Sequence, residues 1–319
     1  MKRTRLALAA ALSLFSLAAH ANDKAVVSAA FKSVFYLPVY FAEEHGYFKE
    51  EGLDVRIDVA SSSTNALAAV ISRSADFSLH GPEWTAISFG RGAPVKVVGG
   101  TLNRLGVWLT CKSSFAFKDF TSLKGATVAT GAMPTTSTSA FLKIVRKAGL
   151  DPKRDLNLLE VPLGNEVGPL AAGQADCAVL YEPGASQAEA QGYKVVSAFS
   201  REIGPYTFSA ISTRQDIDPK VSQKLVSGLD RALKAIRKDP EAAVQSGLKL
   251  FPNLPPEVVR KSVTRLIEDG VFADSVAIPP QALTDALQTQ VDLGNLDKIP
   301  ADPRWLDLDW ANRIAGKAY

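Results

Sequence analysis

The stretch FYLPVYFAEEHGYFKEEGLDV, residues 35–55, decides the fold of this chain. Residues 36–44 carry apolar side chains at helical spacing, and Gly46 follows them as a suitable C-cap. Residues 53–59 (LDVRIDV) alternate apolar and polar side chains, which is typical of a half-buried strand. The apolar run at 25–31 also has the length of a strand. The pattern therefore predicts a strand, a helix and a second strand, with a glycine turn between the last two.

The same alternation of strand and helix continues to about residue 200. Such alternation predicts an α/β protein with mainly parallel sheets flanked by helices. After Asp218 the pattern is helical throughout, and four helices are predicted at 219–237, 240–250, 256–269 and 280–293. The last third of the chain is therefore expected to be a helical C-terminal tail without strands of its own.

The N-terminus has the three zones of a cleavable signal peptide. Lys2, Arg3 and Arg5 form a basic start, and an apolar run of 14 residues follows at 6–19. That run is shorter than the ~20 residues that a membrane-spanning helix needs. Small residues at Ala19 and Ala21 favour cleavage after Ala21. We therefore expect an exported protein, located in the periplasm, with residues 1–21 removed.

Loss of this leader changes the charge of the protein. The chain has 36 basic and 33 acidic residues, and the leader holds three of the basic ones. The mature chain is then formally neutral, with no global field to hold nucleic acid or an anionic membrane. Its length exceeds what one hydrophobic core usually covers, so two lobes are expected.

Four motifs follow one another in a characteristic order. After the stretch at 35–55 come SADFSLHGPE at 74–83, LKGATVA at 123–129 and GQADCAVLYEP at 173–183. Together they resemble the periplasmic solute-binding proteins of ABC importers for nitrate, sulfonates, taurine and the pyrimidine precursors of thiamine. The order of the motifs is more specific than any one of them.

The resemblance implies a bilobal type-II periplasmic binding protein fold. The first lobe would comprise residues 22–111 and 205–319, and the second lobe residues 112–204, with a hinge near Lys112 and Gly204. The helical tail is expected to pack on the first lobe. A small molecule would bind between the lobes, hinge closure would enclose it, and the membrane permease of an importer would be the partner. We expect a monomer without cofactor or metal.

Candidate ligand-binding residues lie in the loops that follow strands, because open α/β sheets bind ligands at the carboxyl ends of their strands. In the first lobe these residues are Phe35, Tyr36, Ser62, Glu83, Trp84, Asn103 and Arg104, and in the second lobe Met133, Thr135, Thr136, Ser137, Asn165, Glu166, Tyr181 and Glu182.

The loop at 131–139 is the best candidate for capture of an anion. Glycine lets a ligand approach the backbone, and the start of a helix offers free N–H groups and hydroxyl donors. Ordinary N-capping is the alternative, since it also favours Ser and Thr. Arg104 could pair with an acidic group, or could be a solvated surface residue.

Two carboxylates and four aromatic residues point to a different ligand. Glu83 and Glu182 would repel a bare sulfonate but would suit an amine or a heterocyclic N–H group, and Glu182 also belongs to the structural Glu-Pro motif. Phe35, Tyr36 and Trp84, with Tyr181, could form apolar walls or belong to the core. The solute is thus either sulfonate-, nitrate- or taurine-like, or a pyrimidine precursor of thiamine or another aromatic heterocycle.

Nothing in the sequence favours an enzyme. The mature chain holds two histidines, His45 and His80, and lacks the Cys- and His-rich region of the pyrimidine synthases that share this fold. No catalytic or metal-binding motif is present. Cys111 and Cys177 could form a disulfide in an oxidising compartment, or could be two buried thiols.

Overall fold

The computed structural model describes residues 22–316, so the predicted leader and its cleavage site lie outside the described residues. The ten strands of this part are β1 Asp23–Ala29, β2 Leu53–Val59, β3 Phe77–His80, β4 Val95–Arg104, β5 Val107–Cys111, β6 Thr127–Gly131, β7 Asn157–Val161, β8 Cys177–Tyr181, β9 Lys194–Ala198 and β10 Pro205–Arg214. The helices are α1 Leu37–Glu44, α2 Tyr47–Glu50, α3 Ser63–Ile71, α4 Pro82–Gly90, α5 Thr136–Lys147, α6 Pro152–Asp155, α7 Val167–Ala171, α8 Gly184–Ala190, α9 Phe199–Ile203, α10 Pro219–Lys238, α11 Pro240–Leu250, α12 Pro256–Glu268, α13 Pro280–Leu293 and α14 Asp309–Ile314.

The structure has the predicted glycine turn between the first helix and the second strand. Helix α1 ends at Glu44, and Gly46 takes the left-handed conformation (φ 76°) that begins α2. Gly52 also has a positive φ of 74°, and β2 starts directly after it. Because an L side chain is strained at such angles, glycine fits both positions. Strand β2 then pairs in parallel with β1 from Asp23↔Leu53 to Ala29↔Val59.

Each lobe is built on one five-stranded sheet. The strand orders are β2-β1-β3-β10-β4 and β7-β6-β8-β5-β9. The expected α/β class with helices around two mainly parallel sheets is confirmed, although one strand of each sheet is reversed and the sheets are therefore mixed. Pairs among β1–β3 and among β6–β8 are parallel, whereas β10 and β5 run antiparallel to both of their neighbours. The reason is that β5 and β10 are the strands by which the chain enters each sheet from the other lobe.

The crossing strands also set the lobe boundary. Strand β5 is hydrogen-bonded to β8 and β9 of the second sheet, so this sheet begins at Val107 and the predicted boundary at 111/112 is corrected. The return crossing passes Gly204, and β10 then pairs with β3 and β4 of the first sheet. Cys111 and Cys177 face each other across β5 and β8, and their sulfurs form a disulfide at 2.03 Å.

The helical tail packs mainly on the first lobe. Helix α10 contacts α1 and α2, and α13 contacts β10 and α4. The tail also reaches the second lobe, because α12 contacts α8 and α13 contacts α5. Within residues 22–316, none of the helices has the length and apolar character to cross a bilayer.

Candidate functional site

The carboxyl ends of the parallel strands of both sheets meet between the lobes. The loop after β1 and the start of α4 after β3 come from the first lobe, and the segments after β6, β7 and β8 come from the second. This is the location at which open α/β sheets bind ligands. Most of the predicted site residues lie in these segments, and we call this region the interlobe cleft.

A chain of hydrogen bonds crosses the cleft at Thr136. The indole N–H of Trp84 donates to the Thr136 hydroxyl at 3.2 Å, and this hydroxyl donates to Oε1 of Glu83 at 2.6 Å. Trp84 and Glu83 begin α4 of the first lobe, whereas Thr136 begins α5 of the second. The sequence placed these three residues in one site, and the structure brings them together.

Glu83 is fully buried, and its second carboxyl oxygen, Oε2, has no hydrogen-bond partner within the described residues. Burial raises the pKa of this carboxyl to about 8, although the Thr136 hydroxyl lowers it in part. At neutral pH the carboxyl therefore holds its proton in most molecules. A buried acceptor of this kind is costly unless it has a partner, so it is a natural contact for a ligand.

Aromatic rings form the walls beside this carboxyl. Tyr181 of the second lobe lies 4.8 Å from Phe31 and 5.3 Å from Phe35 of the first lobe, between ring centroids. Burial raises the pKa of the Tyr181 hydroxyl, and the charges of Glu166 and Glu83 act in the same direction. The Tyr181 hydroxyl therefore keeps its proton. Tyr36, also predicted, donates its hydroxyl to Leu79 O at 3.1 Å and belongs to the wall.

Next to these rings lies a cavity of about 300 Å³ shared by both lobes. Its lining residues from the first lobe include Phe31, Lys32, Ser33, Phe251 and Asn253, and those from the second lobe include Glu166, Tyr181 and Gln187. The exposed Lys32 ammonium lies over the Phe251 ring at 5.3 Å. A cavity of this volume is at the small end of the range for ligand sites.

Glu166 is the buried acid of this cavity. Its side chain is buried, and Oε1 accepts a hydrogen bond from Gly164 N at 3.1 Å. Burial raises the pKa of its carboxyl to about 7, and the backbone N–H groups of Glu166 and Gly164 lower it in part. A carboxyl group at the inner wall and an ammonium group at the rim give the cavity both signs of charge.

The hydroxyls of the loop at 131–139 are largely engaged within the protein. Thr136 binds Glu83, and Thr138 donates to Gly131 O at 2.6 Å. Thr135 is the N-cap residue of α5, and its hydroxyl lies 3.4 Å from that of Ser137. These contacts leave the predicted anion-binding role of the loop with fewer free donors than the sequence suggested.

Three predicted residues are exposed or bonded within their own lobe. Ser62 caps α3 by accepting a hydrogen bond from Asn65 N, and Asn165 is exposed. Met133 donates its backbone N–H to Glu160 Oε2 at 3.3 Å within the second lobe. Helix capping, a backbone hydrogen bond and exposure to solvent are ordinary roles of residues in loops.

Asn103 and Arg104 end β4, near the crossing between the lobes. Arg104 is exposed, and its side chain lies beside Gly270 after α12. Asn103 buries its side-chain oxygen, which has no partner within the described residues. The structure therefore does not bring Arg104 together with Glu83 and Thr136.

Glu182 belongs to a separate interlobe network. Its fully buried carboxyl pairs with Arg265 of α12 at 2.7 Å and accepts hydrogen bonds from Ser186 and Ser262. Arg265 also pairs with Glu189 and lies 5.5 Å from the centre of the Trp108 ring. Glu182 also lines the cavity next to Tyr181, but Arg265 and the two serines engage its carboxyl, so it ties the second lobe to the tail.

The sequence analysis missed Lys32, Phe251 and Asn253, which line the cavity. It also missed Arg265, whose guanidinium group pairs with the Glu182 carboxylate. Phe251 and Asn253 lie some 220 residues after Lys32, between α11 and α12. Lys32 follows β1, so the rule that placed the other candidates could have found it. In the part of the chain that the structure describes, no group of three His, Cys, Asp or Glu residues could hold a metal ion.

Comparisons with known proteins agree with this architecture. The putative binding protein YtlA of Bacillus subtilis (strain 168) is 26% identical over 267 residues, 79% of each chain. The 4-amino-5-hydroxymethyl-2-methylpyrimidine phosphate synthase THI11 of Saccharomyces cerevisiae is 34% identical over 93 residues, 28% of this chain and 27% of that protein.

A solved structure gives the fold. The alkanesulfonate-binding protein SsuA from Xanthomonas axonopodis pv. citri, bound to MOPS, has a TM-score of 0.73 at 18% identity, covering 89% of this chain and 98% of that chain. This likeness confirms the bilobal periplasmic binding protein fold. The family described as NMT1/THI5 like matches residues 35–243, which is more than half of the chain. The protein therefore belongs to the NMT1/THI5-like family.

Proposed function

We propose that this protein is the solute-binding component of an ABC importer and that it captures a small solute bearing N–H groups in the interlobe cleft. One observation carries the proposal: Glu83 is fully buried between the lobes with a carboxyl oxygen that has no partner within the described residues. An amine or a heterocyclic N–H group would satisfy this oxygen once the carboxyl gives up its proton, and a cationic group favours that ionised form.

The cavity that Glu166 and Tyr181 line supports the same class of solute. Glu166 offers a second carboxyl group, and Phe31 and Tyr181 offer flat apolar walls. Lys32 at the rim could hold an acidic substituent of the solute. A taurine-like aminosulfonate therefore fits the charges better than nitrate or a simple sulfonate. The structural likeness to the alkanesulfonate-binding protein SsuA supports a sulfonate group on the solute.

An aromatic heterocycle with ring N–H or amino groups is the second candidate. The aromatic walls and the two carboxyl groups favour it, and a short segment is similar to the yeast pyrimidine phosphate synthase. Catalysis has less support, because Cys111 and Cys177 are bonded to each other and His80 is buried and bonded to Gly81 O and Ser78. We propose a binding protein, not an enzyme.

Closure of the two lobes is the proposed mechanism. Glu83 and Glu166 belong to different lobes, so a solute that contacts both stabilises only the conformation in which the lobes meet. This differential contact shifts the population toward the closed form, which the permease would recognise. The leader predicted at 1–21 favours export to the periplasm, and we propose that the protein acts there as a monomer.

The test is a thermal-shift screen followed by calorimetry. The panel contains taurine, MOPS, alkanesulfonates without an amine, nitrate, aminopyrimidines and aromatic acids. We expect stabilisation by amine- or N–H-bearing compounds, loss of at least about tenfold in affinity in Glu83→Gln, and no change in Glu43→Gln, which alters an exposed acid of α1. The bound compound should be recovered unchanged by mass spectrometry. Binding of simple sulfonates alone, or conversion of the compound, would contradict the proposal.

A further inference from the structure

A second cavity, of about 450 Å³, lies between α3 and α4 and shares no lining residue with the cavity of Glu166 and Tyr181. Each of the two helices lines it with residues at positions i, i+3, i+4 and i+7, which form one face of a helix. This face begins at Thr64 in α3 and at Trp84 in α4, and it ends at Ile71 and at Arg91. We call this cavity the α3–α4 pocket.

The floor of the α3–α4 pocket is apolar. Leu67 and Ile87 are buried there, and the indole N–H of Trp84 is already bonded to Thr136, so the Trp84 ring offers apolar surface. Ile71 is 44% exposed, and Val59 is the only other large hydrophobic residue that is exposed within residues 22–316. An exposed apolar side chain beside a concave apolar surface is typical of a site that binds an apolar group.

Arg91 gives the α3–α4 pocket its charge. It is exposed and forms no ion pair with another residue in the part of the chain that the structure describes. None of the described residues that line the pocket is acidic. A cavity of about 360 Å³ adjoins the pocket at Ile87 and Arg91, and it adds the exposed side chains of Lys298 and Asp297. The end of the pocket at Arg91 therefore has two cations and one acid, and it favours an anionic group.

We propose that the α3–α4 pocket is a second ligand site and that it takes a small organic acid with an apolar tail. The carboxylate pairs with the guanidinium group of Arg91, whose fork of N–H donors matches a carboxylate. The tail lies on Leu67, Ile87 and the Trp84 ring and removes their apolar surface from water. This site does not use the carboxyl groups of the cleft, so it goes beyond the solute binding proposed above.

The experiment measures the binding of hexanoate to the full chain by calorimetry. Two analogues separate the two parts of the ligand: acetate lacks the tail, and hexan-1-ol lacks the charge. We expect hexanoate to bind at least about tenfold more tightly than acetate, because burial of each CH₂ group is favourable. Hexan-1-ol should bind about fivefold more weakly than hexanoate, which is the contribution of an exposed ion pair.

Two variants locate the bound acid. Ala68 is an exposed residue of α3 that lines the pocket, so Ala68→Phe fills the space without disturbing the core and should weaken hexanoate binding at least about tenfold. Arg91→Gln should weaken it about fivefold and remove the preference for hexanoate over hexan-1-ol. Ala171→Phe changes an exposed alanine of α7, and Arg56→Gln changes an exposed arginine of β2. These two controls should bind hexanoate like the wild type.

Three results would overturn the inference. They are wild-type affinity for hexanoate in Ala68→Phe and Arg91→Gln, equal affinity of hexanoate and hexan-1-ol in the wild type, and displacement of hexanoate by the best cleft solute of the panel. Glu166→Gln should leave the affinity for hexanoate unchanged, because Glu166 lines the other cavity. Failure of the proposed function gives a different result, since no compound of the panel would then bind, whereas hexanoate binding and its loss in Ala68→Phe would remain.

Discussion

Glu83 and Glu182 are two fully buried glutamates that follow strands of opposite lobes. Their neighbours separate them: Glu182 has Arg265 and two serine donors, while Glu83 has the Thr136 hydroxyl and an oxygen with no partner within residues 22–316. Motif and spacing cannot show this difference, because Arg265 is 83 residues from Glu182 in sequence. The position of each glutamate after a strand was therefore predictable, but its bonding partners were not.

The acidity of Glu83 predicts how stability depends on pH. Its pKa is raised from 4.5 to about 8, so the folded protein holds a proton that the unfolded chain releases between these values. Glu83 therefore contributes stability that is lost as pH rises toward 8, with a slope approaching about 1.4 kcal/mol per pH unit. Glu166, with a pKa raised to about 7, acts in the same direction. Urea unfolding between pH 6.5 and 8 should show this decline, and Glu83→Gln should make it shallower.

The titration of His80 limits the urea measurements to pH values above about 6.5. Burial lowers its pKa from 6.5 to about 4, so its neutral form contributes stability that is present above pH 6.5 and lost as pH falls toward 4. Below pH 6.5 this effect opposes that of Glu83. Glu43→Gln, an exposed position, should keep the slope of the wild type between pH 6.5 and 8. An equal slope in Glu83→Gln and the wild type would contradict the assignment.

At the scale of elements, helix α12 differs most from expectation. The tail was predicted to pack on the first lobe, and α10 and α13 do so through α1, α2 and β10. Helix α12, however, places Ser262 and Arg265 against Glu182 and Glu189 of the second lobe. The helical periodicity of residues 256–269 correctly predicted the helix. It could not predict which residues contact the polar face of that helix.

Removal of the Arg265 cation should therefore be costly. In Arg265→Met the Glu182 carboxyl stays buried without its ion pair, and the contact with the Trp108 ring is lost. We expect a loss of about 3–5 kcal/mol in the free energy of unfolding, measured with urea. Arg260→Met on the same helix breaks an exposed pair with Glu241 and should cost less than about 1 kcal/mol. Similar losses in the two variants would show that Glu182 is not held by Arg265.

At the scale of the whole molecule, two crossings of the chain join the lobes. One leads from β4 to β5 and the other passes Gly204 into β10. These crossings insert β5 and β10 antiparallel to their neighbours, which makes both sheets mixed. Gly204 has φ 80° and ψ −144°, a conformation that residues with a side chain rarely adopt.

Gly204→Ala tests this crossing. A Cβ atom there would meet no heavy atom within 4 Å, so the cost is that of the backbone conformation alone, about 1–3 kcal/mol in the free energy of unfolding. Gly168→Ala, in helix α7, is the control, since it also has open space but no positive φ. That substitution should leave the protein as stable or raise its stability by about 0.5–1 kcal/mol. Equal melting temperatures of Gly204→Ala and Gly168→Ala in the same buffer would refute the prediction.

The sequence by itself determined the α/β class, the glycine turn at 46–52, the helical tail and the family resemblance, because periodicity and glycine positions act over short distances along the chain. It also placed Glu83, Trp84 and Thr136 among the candidates for one cleft. Only the tertiary structure decided that Thr136 bonds Glu83, that Arg265 neutralises Glu182, and that Cys111 faces Cys177. These outcomes depend on contacts between residues more than 50 positions apart, and such contacts are fixed by how the lobes and the tail pack in space.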